Sequence, residues 1–272
     1  MTLINGQQGS QLNVEDRGLL YGDGLFETLA VRNGHPLLWE RHVQRLRLGC
    51  THLGIAAPDA ENLRAEALAV CQSAQQAVLK IIVTRGCGQR GYRGHSAKSP
   101  TRILTLHSWP DYPLDFKQQG IAVRVCETRM GSNPALAGIK HLNRLEQVLA
   151  RNEWDDPNVP EGVMLDGAGQ VIAGTMTNIF RVRDGHLLTP DLSQCGVAGI
   201  MRGLILETAA HMGLPVTISG FKLDELLSAQ EIFVCNSLIG LWPVRELAGT
   251  ILPVGPITRQ IAAHLDELLN AC

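Results

Sequence analysis

Apolar residues along the chain change spacing several times, and each change marks an element. Between Glu40 and Leu53 they fall at Val43, Leu46, Cys50 and Leu53, three or four apart, which predicts a helix with one buried face. A second helix is predicted over roughly Ala60–Ala77. Before them, Gln11–Val14, Leu25–Val31 and, after the turn Asn33-Gly34, Pro36–Leu38 read as short strands. Val78–Thr84 is rich in β-branched residues and, with the apolar run Ile103–Leu106, predicts a strand pair around a glycine-rich loop, Gly86–Gly94.

Pro110 and Pro113 stand too close together for a helix or a central strand, so the stretch around them is the expected linker. A boundary near residue 115 gives a smaller N-terminal domain, 1–115, and a larger C-terminal one, 116–272. Beyond it, Ile121–Cys126 reads as a strand and Ile139–Trp154 as a helix with Leu142, Leu145 and Leu149 on one stripe. Strands at Gly162–Leu165, Val171–Ile172, Ile179–Val182, Val216–Ile218 and Glu231–Val234 then alternate with helices at about Ile200–Met212 and Leu223–Ala229. That alternation predicts an α+β or α/β fold.

Composition narrows the partners. A formal net charge of −2 and 45% hydrophobic residues describe an ordinary soluble protein with no basic surface for nucleic acid, so a small-molecule substrate is expected. The seven cysteines are odd in number and include no C-x-x-C pair, which argues against a disulfide framework or a metal site and for a reducing cytoplasm. No apolar run approaches the roughly 20 residues that cross a bilayer, and the N-terminus has no targeting pattern.

Two motifs carry chemistry. Gly86-Cys87-Gly88-Gln89-Arg90-Gly91 matches the dinucleotide fingerprint, but the residues after it have no helical period, and the fingerprint works by opening a helix onto a pyrophosphate. A loop carrying Arg85, Arg90 and Arg93 suits gripping carboxylates; a solvated hairpin loop is the alternative. Lys140 falls in the first turn of the predicted Ile139–Trp154 helix, near the positive end of the macrodipole, where a merely decorative cation is disfavoured. Arg144 would face the same side, and a neighbouring cation lowers an amine's pKa as a nucleophile needs. A solvated lysine remains the alternative from these residues alone.

The run Gly138-Ile139-Lys140-His141-Leu142-Asn143-Arg144-Leu145-Glu146-Gln147-Val148-Leu149 resembles the lysine motif of aminodeoxychorismate lyases, members of the fold-type-IV pyridoxal-phosphate enzymes. Tyr21-Gly22-Asp23-Gly24-Leu25-Phe26-Glu27-Thr28, Arg85-Gly86 through Arg90-Gly91-Tyr92, Cys195–Arg202, and Glu231–Val234 leading to Pro243-Val244 extend the likeness over nearly the whole chain, in the family's order. The resemblance implies a two-domain D-amino-acid-aminotransferase-like fold, pyridoxal 5′-phosphate as cofactor, Lys140 as its covalent anchor, and a homodimer. It implies phosphate ligands at Arg45, at the amides of Ile200 and Met201 opening the predicted helix, and at the Ser237-Leu238 turn. It further implies conversion of 4-amino-4-deoxychorismate to 4-aminobenzoate and pyruvate, a step of folate synthesis, with Lys140 as base and then acid, and Arg90 and Arg93 as candidate ligands of the substrate carboxylates. The alternative within the fold is an aminotransferase for D- or branched-chain amino acids.

One position departs from the family pattern. A glutamate usually stands five residues before an Asn-Ile/Leu-Phe element and keeps the cofactor's pyridine nitrogen protonated. Asn178-Ile179-Phe180 is present here, but the matching residue is Ala173. This leaves open whether another group substitutes, the enzyme is impaired, or its reaction depends less on ring protonation.

Overall fold

The computed structural model describes residues 1–94, 97 and 99–270; His95, Ser96 and Lys98 of the glycine-rich segment, and Cys272, lie outside the described residues. Two compact units are present: Met1–Pro110 with Ile139–Asn143, and Asp111–Gly138 with the described chain from Arg144 onward.

The first unit runs β1 (Thr2–Ile4), β2 (Gln7–Gln8), α1 (Arg17–Tyr21), β3 (Gly24–Arg32), β4 (His35–Pro36), α2 (Trp39–Leu53), α3 (Ala60–Cys71), β5 (Gln76–Thr84) and β6 (Thr101–Ser108). Its six strands pair antiparallel in the order β2-β1-β6-β5-β3-β4. Asn33 and Gly34 both have positive φ, the backbone a tight hairpin requires, and they join β3 to β4. The buried face of α2 includes Val43, Leu46 and Cys50, as the spacing predicts, and adds His42 and Gly49. Gln11–Val14 forms no strand. Asn13 accepts from the Glu15 amide through its side chain and from the Asp16 amide through its carbonyl, so the chain turns there and enters α1, which Asp16 caps. The helix expected over Ala60–Ala77 ends at Cys71, because Gln76 already belongs to the β5 ladder.

The second unit contains α4 (Phe116–Gln119), β7 (Ile121–Met130), α5 (Leu145–Arg151), β8 (Glu161–Asp166), β9 (Val171–Gly174), β10 (Asn178–Arg183), β11 (His186–Thr189), α6 (Ile200–His211), β12 (Val216–Ile218), α7 (Leu223–Leu227), β13 (Glu231–Asn236), β14 (Gly240–Leu247), β15 (Thr250–Ile251) and α8 (Pro256–Asn270). Its nine-stranded sheet is ordered β12-β11-β10-β13-β14-β7-β8-β9, with β15 on β14. The β11–β12, β14–β7 and β7–β8 pairs are parallel and the others antiparallel. The long C-terminal helix α8, which buries Thr258, Ile261 and Leu265, is an element beyond those predicted. Among the described residues no helix is long and apolar enough to cross a membrane, and the six described cysteines are free thiols.

The main correction concerns Ile139–Trp154. Helix α5 covers only Leu145–Arg151, and residues 139–143 are not helical, with Leu25 and His141 in an antiparallel bridge. The Phe26 amide donates to the Lys140 carbonyl at 3.0 Å and the Leu142 amide to the Gly24 carbonyl at 3.0 Å. These groups are therefore unavailable to a helix, and the five residues belong to the first unit although a boundary at 115 assigns Lys140 to the second. Leu145 and Leu149, expected on a buried stripe, are 75% and 60% exposed.

Candidate active site

The 139–143 segment carries Lys140, half-buried, with its Nζ 4.2 Å from the centroid of the Phe26 ring. Two glycines of β3 and its approach make room for it. A Cβ on Gly24 would lie 2.5 Å from the Val83 carbonyl and 2.9 Å from Leu142, and one on Gly22 would lie 2.5 Å from Asn143 Oδ1. Asn143 in turn donates through Nδ2 to the Gly22 carbonyl at 3.2 Å. The Tyr21–Thr28 motif and residues 139–143 of the lysine motif thus depend on each other through direct contact. Lys140 is positioned by strand pairing; the helix-dipole reason for its placement does not hold, and Arg144, as the N-cap of α5, does not share a helical turn with it.

Behind Phe26 stands a carboxylate that the sequence reading passed over. Glu27 is 1% exposed and shares one face of β3 with Leu25, Leu29 and Val31, all buried. Arg45 Nε reaches its Oε1 at 2.8 Å and Arg45 Nη2 its Oε2 at 2.5 Å, while His42 Nδ1 lies 2.6 Å from Oε2. Burial by itself raises the Glu27 pKa, but the hydrogen bonds from Arg45 and His42 more than offset it and hold the carboxyl below its usual range. Burial lowers the pKa of His42 despite the Glu27 contact, and the positive charges of Arg45 and Lys140 lower it further. An ionised acceptor facing a neutral imidazole requires the ring proton on Nδ1. Arg45 is thus buried at its base and held in one plane, not a solvated helical arginine.

In the second unit, α6 begins at Ile200 after Gly199, an N-cap without a side-chain acceptor, and its first turn has no acidic residue. The first-turn amides, Ile200 and Met201 among them, therefore lack intrahelical acceptors and present partial positive charge, the arrangement that receives anions. Asn178 shapes this entry. Its Nδ2 donates to the Val197 carbonyl at 3.0 Å, and a Cβ on Gly199 would meet its Oδ1 at 2.0 Å. Gly138 and Val197 form a parallel bridge that fixes the preceding loop. The Ser237-Leu238 turn follows β13; here the Leu238 amide donates to Asn236 Oδ1 at 2.8 Å, so it is engaged within the turn, and Ser237 is half-buried beside it.

Among the described residues, the glycine-rich loop opens no helix. Arg17 holds it, donating to the carbonyls of Gly91 at 2.7 Å and Tyr92 at 3.0 Å, while the Gly91 amide donates to Tyr21 Oη. Arg85 is structural: it pairs with Asp23 at 2.8 Å and donates to the carbonyls of Gly54 and Leu53. Arg90 and Arg93 are exposed.

The chain matches the family model described as amino-transferase class IV over residues 24–247. It belongs to amino-transferase class IV. Within that class it is 37% identical over 270 residues to the aminodeoxychorismate lyase of Vibrio harveyi, covering 98% of this chain and 100% of that one. It superposes on the crystal structure of 4-amino-4-deoxychorismate lyase from Pseudomonas aeruginosa with a TM-score of 0.95 and 48% identity, covering 99% and 100% of the two chains. The branched-chain amino acid aminotransferase of Escherichia coli shares the fold, with a TM-score of 0.86 at 24% identity over 98% and 94%.

The residues present suit the class's pyridoxal phosphate at two of its groups. In the first unit an amine on a fixed backbone, Lys140, is of the kind that would hold the aldehyde, and in the second the uncapped amides after Gly199, where a Cβ would press on Asn178, are of the kind that would hold the phosphate. The pyridine nitrogen is the exception. Ala173 is buried in β9 opposite Met164, packed in one cluster with Cys126, Ile172 and Cys195. The neighbouring acid, Glu161, cannot take over, because its oxygens already accept from the Gly162, Thr175 and Met176 amides and the Thr175 and Thr177 hydroxyls.

Proposed function

We infer that this chain is a pyridoxal-phosphate-dependent lyase that converts 4-amino-4-deoxychorismate to 4-aminobenzoate and pyruvate. The observation that carries the residue assignment is Lys140: a lysine fixed by backbone bonds to β3, with its amine against the Phe26 ring. Lys140 is the cofactor's covalent anchor, Arg45 a phosphate ligand, and the amides of Ile200 and Met201 with the Ser237 hydroxyl phosphate donors; Leu238 belongs to that turn through its backbone.

When bound, pyridoxal phosphate draws electrons from the substrate carbon that bears the amine and makes its proton acidic. Lys140, which would hold the cofactor, would through its Nζ remove that proton as general base. The carbon–oxygen bond to the enolpyruvyl group breaks as the ring becomes aromatic. Lys140 returns the proton to the departing enolpyruvate, which leaves as pyruvate. Arg90 and Arg93 pair with the substrate carboxylates. An aromatic product supplies its own driving force, which suits a chain with alanine where the ring nitrogen has no acid partner.

The enzyme works as a homodimer in a reducing cytoplasm, in folate synthesis. The apolar face of α5 supports the dimer, since Leu145, Val148 and Leu149 are all exposed in the single chain; the free thiols support the compartment.

The test is reduction of the holoprotein with borohydride, peptide mapping, and assay of 4-aminobenzoate from aminodeoxychorismate. An adduct on Lys140 with product formation is expected. An adduct elsewhere removes the Lys140 assignment. An adduct without product, but with turnover of amino-acid and keto-acid pairs, replaces the lyase by an aminotransferase.

A further inference from the structure

Glu27 occupies a core position, and a carboxylate there costs free energy unless it is paired. Its partners are three residues apart on α2, so they share one helix face. The Nε and Nη2 edge of Arg45 forms a two-point fork across both carboxylate oxygens, and His42 Nδ1 adds a second contact at Oε2. His42 Nε2, equally buried, has no hydrogen-bond partner among the described residues, so the imidazole acts here through Nδ1 alone. For stability, well-packed apolar residues of similar volume serve as well as a buried ionised network. What the network adds is a guanidinium locked in plane and direction, because a two-point fork removes the rotamer freedom a long side chain otherwise keeps.

We propose that Glu27 is a positioning residue that, steadied by His42, aims Arg45 at the phosphate of the cofactor. The inference rests on the reading of Arg45 as a phosphate ligand and extends it to two residues that touch neither cofactor nor substrate. Glu27 lowers the cost of binding by ordering the cation in advance, so the benefit appears only for a ligand that carries the phosphate.

The test compares pyridoxal 5′-phosphate with pyridoxal, which has the same ring and aldehyde without the phosphate. Dissociation constants for both are measured spectroscopically on the full chain freed of cofactor. In E27Q the constant for pyridoxal phosphate is expected to rise about tenfold, the scale of removing a residue that orients a ligand-binding side chain, while that for pyridoxal stays unchanged. R45Q loses the same selectivity, and E27Q/R45Q is no worse than R45Q, because two residues acting through one contact are not additive. H42L keeps the carboxylate but removes its second donor; a smaller selective loss is expected, and H42L decides by the same ratio if E27Q does not fold. Equal weakening of both ligands in E27Q means general loosening and overturns the proposal, as does an unchanged ratio in E27Q where R45Q loses selectivity. If R45Q itself shows no selectivity, the phosphate role of Arg45 falls, and this inference falls with it.

Discussion

Phe26 holds Lys140 twice: its amide donates to the Lys140 carbonyl at 3.0 Å, and its ring lies 4.2 Å from the Lys140 Nζ. Backbone and side chain of one strand residue thus fix both ends of the lysine. Positioning by a sheet residue is stiffer than positioning by a free helix terminus, and the consequences can be measured.

Gly24→Ala places a Cβ against the Val83 carbonyl and Leu142. Backbone cannot give way as a flexible side chain does, so the β3–β5 pairing at Gly24 must adjust, and the Leu142 side chain must move from its place beside it. A loss of roughly 2–3 kcal/mol in chemical denaturation is expected, together with a fall in the fraction of Lys140 recovered as reduced cofactor adduct. Full labelling at reduced stability would show that the lysine's position does not depend on this contact.

Gly199→Ala tests the entry to α6. The added Cβ meets Asn178 Oδ1, which must rotate away and release the Val197 carbonyl. Affinity for pyridoxal phosphate is expected to fall on the order of tenfold as the amides lose their direction, with the melting temperature changed much less. Equal loss for pyridoxal would show that the helix terminus does not serve the phosphate.

Glu161→Gln replaces an oxygen that only accepts by an amide nitrogen that only donates, facing hydroxyls and amides that are themselves donors. About 3 kcal/mol of stability is expected to be lost, and hydrogen exchange at the Gly162, Thr175 and Met176 amides should accelerate. Unchanged exchange there would show that the turn does not need the carboxylate.

Stability should depend on pH in two stages. Burial lowers His42 below its ordinary 6.5, and the bonds from Arg45 and His42, outweighing burial, hold Glu27 below its ordinary 4.5. In both cases the unfolded chain takes up a proton at higher pH than the folded one, so the stability they carry is complete above the ordinary value and is lost as pH falls. Urea midpoints are expected to decline first below about 6.5 and more steeply below about 4.5, where Asp23, lowered by Arg85 and Arg17 against burial, joins in. H42L should lack the first stage; if it keeps it, another histidine is responsible.

Much of this was legible in the chain itself. The spacing of Val43, Leu46 and Cys50 gave the buried face of α2, and Asn33-Gly34 gave the hairpin. The apolar residues after Gly199 gave α6, and the run around Lys140 pointed to the family. Even Glu27 leaves a signal, since it shares the inward face of β3 with Leu25 and Leu29; an acid is ordinarily read as solvated, and only its partners on α2 account for its burial.

Local spacing and turn chemistry are properties of neighbouring residues, so the sequence by itself determined where most helices and strands lie. The conformation of residues 139–143 was not of that kind. Their apolar pattern continues that of α5 without a break, and a helix over the whole run satisfies it locally. What decides against the helix is that the carbonyl of Lys140 and the amide of Leu142 find partners on Phe26 and Gly24, far away in sequence. Those partners exist only once β3 is folded and its glycines have left room for the approach. Tertiary structure therefore decided which unit holds the lysine, and with it which side chains stand beside the amine.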